Sequence, residues 1–404
     1  MKATLAINGG TPVRTEPFPA RFWGASVVGD EELALVTEVV RSRCLFRSYG
    51  EGTPHMVDDL EREAREFFGV RHALGVTSGS AALFCALAGL GIGPGDEVIV
   101  PSLMWLSDFN APLLHGATPV VADIDRTLCV DPDDLERKIT PRAKAVVVVY
   151  FMGGVGHIDR IVEIGKKRAV AVVEDCAQSC GATFRGQRIG SLGDVGCYSF
   201  QHNKIMTSGE GGMVVTDDPE IDALSRAIRA HGWLRDVPDN VDLFETGDDI
   251  FSEAYRFVIP GYNLRPQEIN AAVGQVQLEK LPGFTAARRA NLEMFQDAFA
   301  DNDRFIIQRE NGQSSSFCFP IIVRPGCGLE RADVFEPLKE ARIGFRMITG
   351  GCFPRHDAIK FFDYDTVGDL TNANTAHDQG FFVGNHPFDL SEQIDKLRGI
   401  LTAL

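Results

Sequence analysis

Apolar positions along this chain change their period from segment to segment, and the changes mark its elements. In "DEELALVTEVVRS", from Asp30, apolar residues recur at helical spacing behind a group of acids, which predicts an amphipathic helix. "HMVDDLEREAREFFGV" repeats the pattern after a Gly/Pro-containing loop between Tyr49 and Pro54. Short apolar runs then alternate with helical stretches. "HALGVTSG", "GDEVIVPS", "TPVVADID", "AKAVVVVYF", "VAVVEDCA" and "VGCYSFQ" read as strands. Between them "SAALFCALAGLGI", "LSDFNAPLLHG", "DPDDLERKI" and "RIVEIGKKRA" read as helices. Strands this apolar, separated by helices, predict a mainly parallel sheet covered on both faces.

The rhythm weakens after about residue 245. A long helical stretch, "PQEINAAVGQVQLEKLPGFTAARRANLEMFQDAFA", leads to a strand, "SSFCFPIIV", in a new setting. Helical "RADVFEPLKEARI" and "EQIDKLRGILTAL" complete a smaller region. The expected organisation is an extended N-terminal arm over 1–25, a large α/β domain over 26–270 and a small α+β domain over 271–404. The boundary falls in or near the long helix.

Composition narrows the class. With 404 residues, 44% hydrophobic and 24% charged, the chain can bury a large core. Its net charge of −16 comes with thinly spread basic residues, so a nucleic-acid surface is not expected. Nine scattered cysteines suit a reduced compartment, and the lone pair Cys176 and Cys180 lacks the partners of a zinc site. No signal-peptide core or membrane span stands out. A cytoplasmic location is expected, with no metal and no membrane partner.

Several motifs carry chemistry. "GIGPGD", from Gly91, imitates a dinucleotide-binding glycine loop, but it follows a helix and precedes a strand, the reverse of what that loop needs. "TSGSAAL", from Thr77, has the right order. Free N–H groups at that helix start can take a phosphate, Gly79 permits close approach, and Ser80 adds a hydroxyl; a plain helix cap is the alternative. In "VVEDCAQ", Asp175 ends an apolar strand, where a carboxylate must meet a cation or cap a helix. In "SFQHNKIMTSGEGG", Lys204 lies just past a strand, with Ser199 and Gln201 near and a tight turn behind it. A lysine held there with a lowered pKa can form a Schiff base. A phosphate cradle, an acid for a pyridinium and a Schiff-base lysine are the parts pyridoxal 5'-phosphate needs.

The order of these motifs resembles the DegT/DnrJ/EryC1/StrS family of sugar aminotransferases, pyridoxal-phosphate enzymes of fold type I. The resemblance runs from "LAINGGTPVR" through "GDEVIVPSLMWLSDFNA", "VVEDCAQSCGATFRGQRIGSLGDVGCYSF" and "KIMTSGEGGMVVTDD" to "GYNLRPQEINAAVGQVQLEKL". It implies that Lys204 is the Schiff-base lysine and Asp175 the partner of the ring nitrogen. Gln178 takes the position that contacts the ring hydroxyl, and Trp105 that of the stacking aromatic. Gly79, Ser80 and Ser199 match phosphate contacts. Asn263 matches an asparagine reaching the phosphate from a neighbouring subunit, which implies a homodimer with shared active sites.

The same resemblance implies transfer of an amino group from glutamate or glutamine to a keto group on a sugar or sugar-like ring. Such reactions serve secondary-metabolite, antibiotic or cell-surface polysaccharide biosynthesis. Members with histidine in place of the lysine are dehydratases, so Lys204 favours transamination; a dehydratase or lyase, and a non-catalytic regulator, are the alternatives. "SFQ" before the lysine looks like the cyclitol branch, whereas "FRSYG" and "GFFVGNHPFDLSEQID" look like members acting on ketosugars. Arg47, His231, Arg346 and His386 are candidates for holding the acceptor. His202 reads as a loop residue, with a second acid/base role as the alternative.

Overall fold

The apolar runs form the strands that the sequence predicts. The computed structural model describes residues 27–46, 55–237, 244, 247, 249–366 and 368–404. The arm expected over 1–25, and Arg47, lie outside the described residues. β1 (His72–Val76), β2 (Glu97–Pro101), β3 (Thr118–Ala122), β4 (Ala143–Val149) and β5 (Ala171–Asp175) are followed by a two-stranded ribbon, β6 (Thr183–Phe184) and β7 (Gln187–Arg188). β8 (Val195–Ser199) and β9 (Gly212–Thr216) complete the first half. In the large sheet the order is β1-β9-β8-β5-β4-β2-β3, and every pair is parallel except the two that β9 makes.

Helices cover both faces. They are α1 (Asp30–Ser42), α2 (Met56–Phe68), α3 (Gly79–Gly89), α4 (Leu106–Leu114), α5 (Pro132–Lys138), α6 (Ile158–Arg168) and α7 (Pro219–Arg229). Two of them start with the same device: Asp131 and Asp218 accept N–H bonds from the first turn, and a proline stands at the first helical position. Successive strand residues point to opposite faces. Val98 and Val100 therefore enter one apolar cluster, and Ile99 between them enters the other. "GIGPGD" is the turn between α3 and β2, closed by Gly93 N–H donating to Asp96 Oδ2 at 3.0 Å.

Beyond a short α8 (Ile250–Ala254), α9 (Glu268–Ala298) runs from contact with α1 and α2 to contact with the C-terminal helix. A second, antiparallel sheet follows, built from β10 (Phe305–Ile307), β11 (Cys318–Val323), β12 (Phe345–Met347) and β14 (Gly380–Gly384), with β14 between β11 and β12. Helices α10 (Arg331–Glu340), α11 (Thr371–Gln379) and α12 (Ser391–Ala403) accompany it, and Phe295, Phe319, Phe381 and Leu401 fill a third core. One strand crosses back: β13 (Asp365–Thr366) pairs in parallel with β3 at the edge of the large sheet. Among the described residues no helix is long and apolar enough to cross a membrane.

Candidate active site

β5 and β8 are parallel neighbours, so their carboxyl ends open on the same crevice. β5 delivers Asp175 there, 5% exposed, with the Ala177 N–H donating to Oδ1 at 2.7 Å. β8 delivers Ser199. Against Ser199 lies the first residue of α3, Gly79. A Cβ on Gly79 would stand 2.6 Å from the Ser199 Cβ, and one on Gly212 would stand 2.3 Å from the Ser78 carbonyl oxygen, so this corner admits only glycines. Ser78 caps α3 by accepting the Ala81 N–H at 3.1 Å. The N–H groups of Gly79 and Ser80 have no carbonyl within the helix to bond, and they carry the positive end of its dipole. Ser80 Oγ is held by Ser107 Oγ.

The loop after β8 is tied into one shape. Lys204 N–H donates to the Gln201 carbonyl at 2.8 Å and Ser208 N–H to that of Phe200 at 2.9 Å, while Asn270 of α9 holds the Ser208 carbonyl at 2.8 Å. Gly209, at φ 83, makes the tight turn. Lys204 is thereby fixed on the cavity wall. Its amine makes no hydrogen bond or ion pair among the described residues and lies 5.5 Å from the centre of the Phe317 ring. Desolvation pushes the amine's pKa down, partly offset by attraction to Asp175, Asp108 and Glu210.

One cavity of about 770 Å³ gathers Gly79, Ser80, Trp105, Asp175, Gln178, Ser199 and Lys204. Gln178 is oriented by accepting the Met152 N–H at 2.8 Å. Trp105 caps α4 and is 55% exposed, its ring free to cover a flat ligand. Arg346 and His386 line the far wall, on and after strands of the small sheet. Asn263 and His231 are not part of the lining. Asn263 is exposed, and its Oδ1 accepts from Arg265 Nε at 3.0 Å. His202 also stays off the wall, although its neighbours Gln201 and Asn203 line it.

Two further residues belong to this region. Arg288 is buried on α9 and donates through Nη1 to the carbonyls of Ser316, Phe317 and Asn385 at 3.4, 3.3 and 2.8 Å. No carboxylate pairs with it among the described residues, and burial pushes its pKa down to about 10. Asp108 on α4 is wholly buried behind Asp175, and burial next to that carboxylate pushes its own pKa well up. Their signal in the sequence is positional. Arg288 stands in the buried stripe Leu281, Thr285, Arg288, Asn291, Phe295, and Asp108 shares the inner face of α4 with Phe109 and Pro112. An ionisable group in an apolar stripe is the mark of a special environment.

The sequence profile of the DegT/DnrJ/EryC1/StrS aminotransferase family matches residues 27–401. A GDP-4-keto-6-deoxy-D-mannose 3-dehydratase of Yersinia pseudotuberculosis is 36% identical over 386 residues, covering 93% of this chain and 97% of its own. An L-glutamine:2-deoxy-scyllo-inosose aminotransferase of Streptoalloteichus tenebrarius is 38% identical over 310 residues, covering 74% of this chain and 69% of its own. The solved GDP-4-keto-6-deoxymannose-3-dehydratase with a trapped PLP–glutamate geminal diamine superposes with a TM-score of 0.87 at 36% identity, covering 93% of this chain and 98% of that one. That dehydratase has also been solved with an adjacent serine and histidine exchanged for asparagine and lysine.

Proposed function

The chain belongs to the DegT/DnrJ/EryC1/StrS aminotransferase family of pyridoxal-phosphate enzymes, and we propose that it transfers an amino group from glutamate or glutamine to a ketone on a sugar or sugar-like ring. The observation that carries this reading is a lysine amine, Lys204, desolvated and unpaired among the described residues, in the same cavity as the buried Asp175. An Asn–Lys pair stands here at Asn203 and Lys204. The related dehydratase carries a Ser–His pair until those neighbours are exchanged for asparagine and lysine. This supports the lysine as the residue that separates the two chemistries.

The residues present fit the cofactor. The Gly79–Ser199 corner sets the start of α3 on the cavity wall, where its free N–H groups suit a phosphate. Asp175 lies far enough inside the site to face a ring nitrogen, and Trp105 offers a flat surface over the ring. When bound, pyridoxal phosphate supplies an electron-accepting ring that acidifies the α-carbon of an amino donor. Asp175 keeps a proton at the ring nitrogen. Lys204 would take the proton from the donor's α-carbon and deliver it to the cofactor's C4′ carbon from the same face, a task suited to an amine that desolvation has made easier to deprotonate. Gln178, whose Oε1 is taken by the Met152 N–H, would offer its amide N–H to the ring hydroxyl. Arg288 and Arg346 give the cavity a positive wall for an acidic donor or a phosphate-linked acceptor. The cytoplasm and a homodimer that shares its sites complete the reading.

The specific observation favouring a second reading, dehydration of a GDP-linked 4-keto-6-deoxy sugar, is the 36% identity to that dehydratase over 93% of the chain. Incubating the enzyme with ¹⁵N-glutamate or ¹⁵N-glutamine separates the two. With 2-deoxy-scyllo-inosose or GDP-4-keto-6-deoxymannose as acceptor, transamination yields a product carrying ¹⁵N. Dehydration yields one that has lost oxygen and carries no label.

A further inference from the structure

Asp108 sits in the first turn of α4 and is 0% exposed. Among the described residues neither carboxyl oxygen has a well-formed hydrogen bond, and only the backbone N–H groups of Trp105 and of Asp108 itself lend it weak support. An ionised carboxylate left that way is strongly disfavoured. The group within hydrogen-bond reach is another acid, Asp175. Two buried carboxyls in contact cannot both ionise, so the pair keeps a proton.

The geometry says which of the two holds it. Asp175 accepts the Ala177 N–H and faces the cavity, which places it as the acceptor of the pair. Asp108 has only that weak backbone support, is fully buried and does not line the cavity. The other ionisable groups facing the pair are Lys204, from the loop after β8, and the buried thiols of Cys197 on β8 and Cys176 just after β5, both of which hold their protons firmly. Lys204 can balance one negative charge but not two. We propose that Asp108 keeps its proton and donates it in a hydrogen bond to the Asp175 carboxylate, as a positioning residue that fixes the orientation and basicity of the acid facing the cofactor's ring nitrogen. A neutral carboxylic acid serving as a buried donor has precedent in other enzyme sites. The proposal rests on the role given to Asp175 above.

Infrared spectroscopy of the cofactor-free protein at neutral pH tests it directly. In the wild-type-minus-variant difference spectrum, where other protonated carboxyls such as Glu310 cancel, a protonated-acid carbonyl band is expected to be missing from Asp108→Asn and retained in Asp175→Asn. Cofactor affinity, read by fluorescence titration with pyridoxal phosphate, supplies the second readout. Asp108→Asn still offers a donor and stays within about 3-fold of wild type, whereas Asp108→Ala weakens binding about 10-fold or more. The proposal is overturned if Asp108→Asn removes no such band, or if Asn and Ala weaken binding equally. An unchanged affinity in Asp175→Asn contradicts the ring-nitrogen role itself, while the infrared band still decides where the proton lies.

Discussion

The Cα of Gly79 lies so close to Ser199 that a Cβ there would stand 2.6 Å from the serine's Cβ and 3.3 Å from its Cα. Because Ser199 ends a central strand, its backbone cannot give way. Replacing Gly79 with valine is expected to lower stability by roughly 1–3 kcal/mol through overpacking. It also moves the α3 amides away from the phosphate corner. Pyridoxal phosphate affinity should fall by at least about 10-fold, the loss of one charge-assisted hydrogen bond. Urea denaturation and cofactor titration of Gly79→Val measure both effects; wild-type values in either contradict the cradle.

Lys204 gives a pH prediction whose sign follows from its burial. Desolvation lowers the amine's pKa from the ordinary lysine value. Between the two values the unfolded chain binds the proton and the folded chain does not, so the penalty of burying this amine disappears as pH rises through that window. The neutral amine is also the form that attacks an aldehyde. Attachment of pyridoxal phosphate to cofactor-free protein should speed up with pH and level off clearly below ~10.4, the pKa of a free lysine. A plateau reached only near that value would mean the amine is solvated.

Asn263 tests whether the site is shared. It is exposed on this chain and outside the cavity lining, which suits a residue working in a neighbour's site. Co-expressing Lys204→Ala and Asn263→Ala subunits then creates mixed dimers with one native and one doubly defective site. Random pairing restores up to about a quarter of wild-type activity, since half of the dimers carry one good site of two. Purified singly, each variant is nearly inactive. Absence of any rescue on mixing contradicts a site built across the dimer.

Glu310 is half-buried and its carboxyl is pushed up to about 7 by desolvation, with Arg289 pulling the other way. Between the ordinary carboxylate range and about 7 the folded chain binds more protons than the unfolded chain. Its contribution is therefore full in mild acid and lost as pH rises through neutrality. Urea midpoints should fall between about pH 5 and 8, by roughly 1–3 kcal/mol in stability, and Glu310→Gln should flatten that slope. An unchanged slope in the variant assigns the pH dependence elsewhere.

The large sheet was legible because its strands are short apolar runs, such as "AKAVVVV", set between helices whose starts are marked by caps such as Asp131–Pro132. Lys204, Asp175 and Gly79 stand out in the sequence because each lies at or just past a strand end, where such sheets place ligands. The small sheet was not, apart from β11. β10 and β12 are three residues long, "FII" and "FRM", too short to show a period. β13 takes its place from pairing with β3, some 240 residues earlier, which no local pattern encodes. Arg346 and His386 were nominated as loop-like polar residues and do line the cavity, whereas His231 in the same nomination does not. Asp108 shows in the sequence only as an acid on the apolar face of a helix, and its place beside Asp175 comes from the fold.

The absorbance spectrum of the purified enzyme, recorded before and after adding glutamate or glutamine, bears most directly on Lys204. The account predicts a visible band from cofactor bound to the lysine, a shift to shorter wavelength as the donor gives up its nitrogen, and loss of both in Lys204→Ala. A band that persists unshifted with every amino donor, or one that survives unchanged in Lys204→Ala, would contradict it.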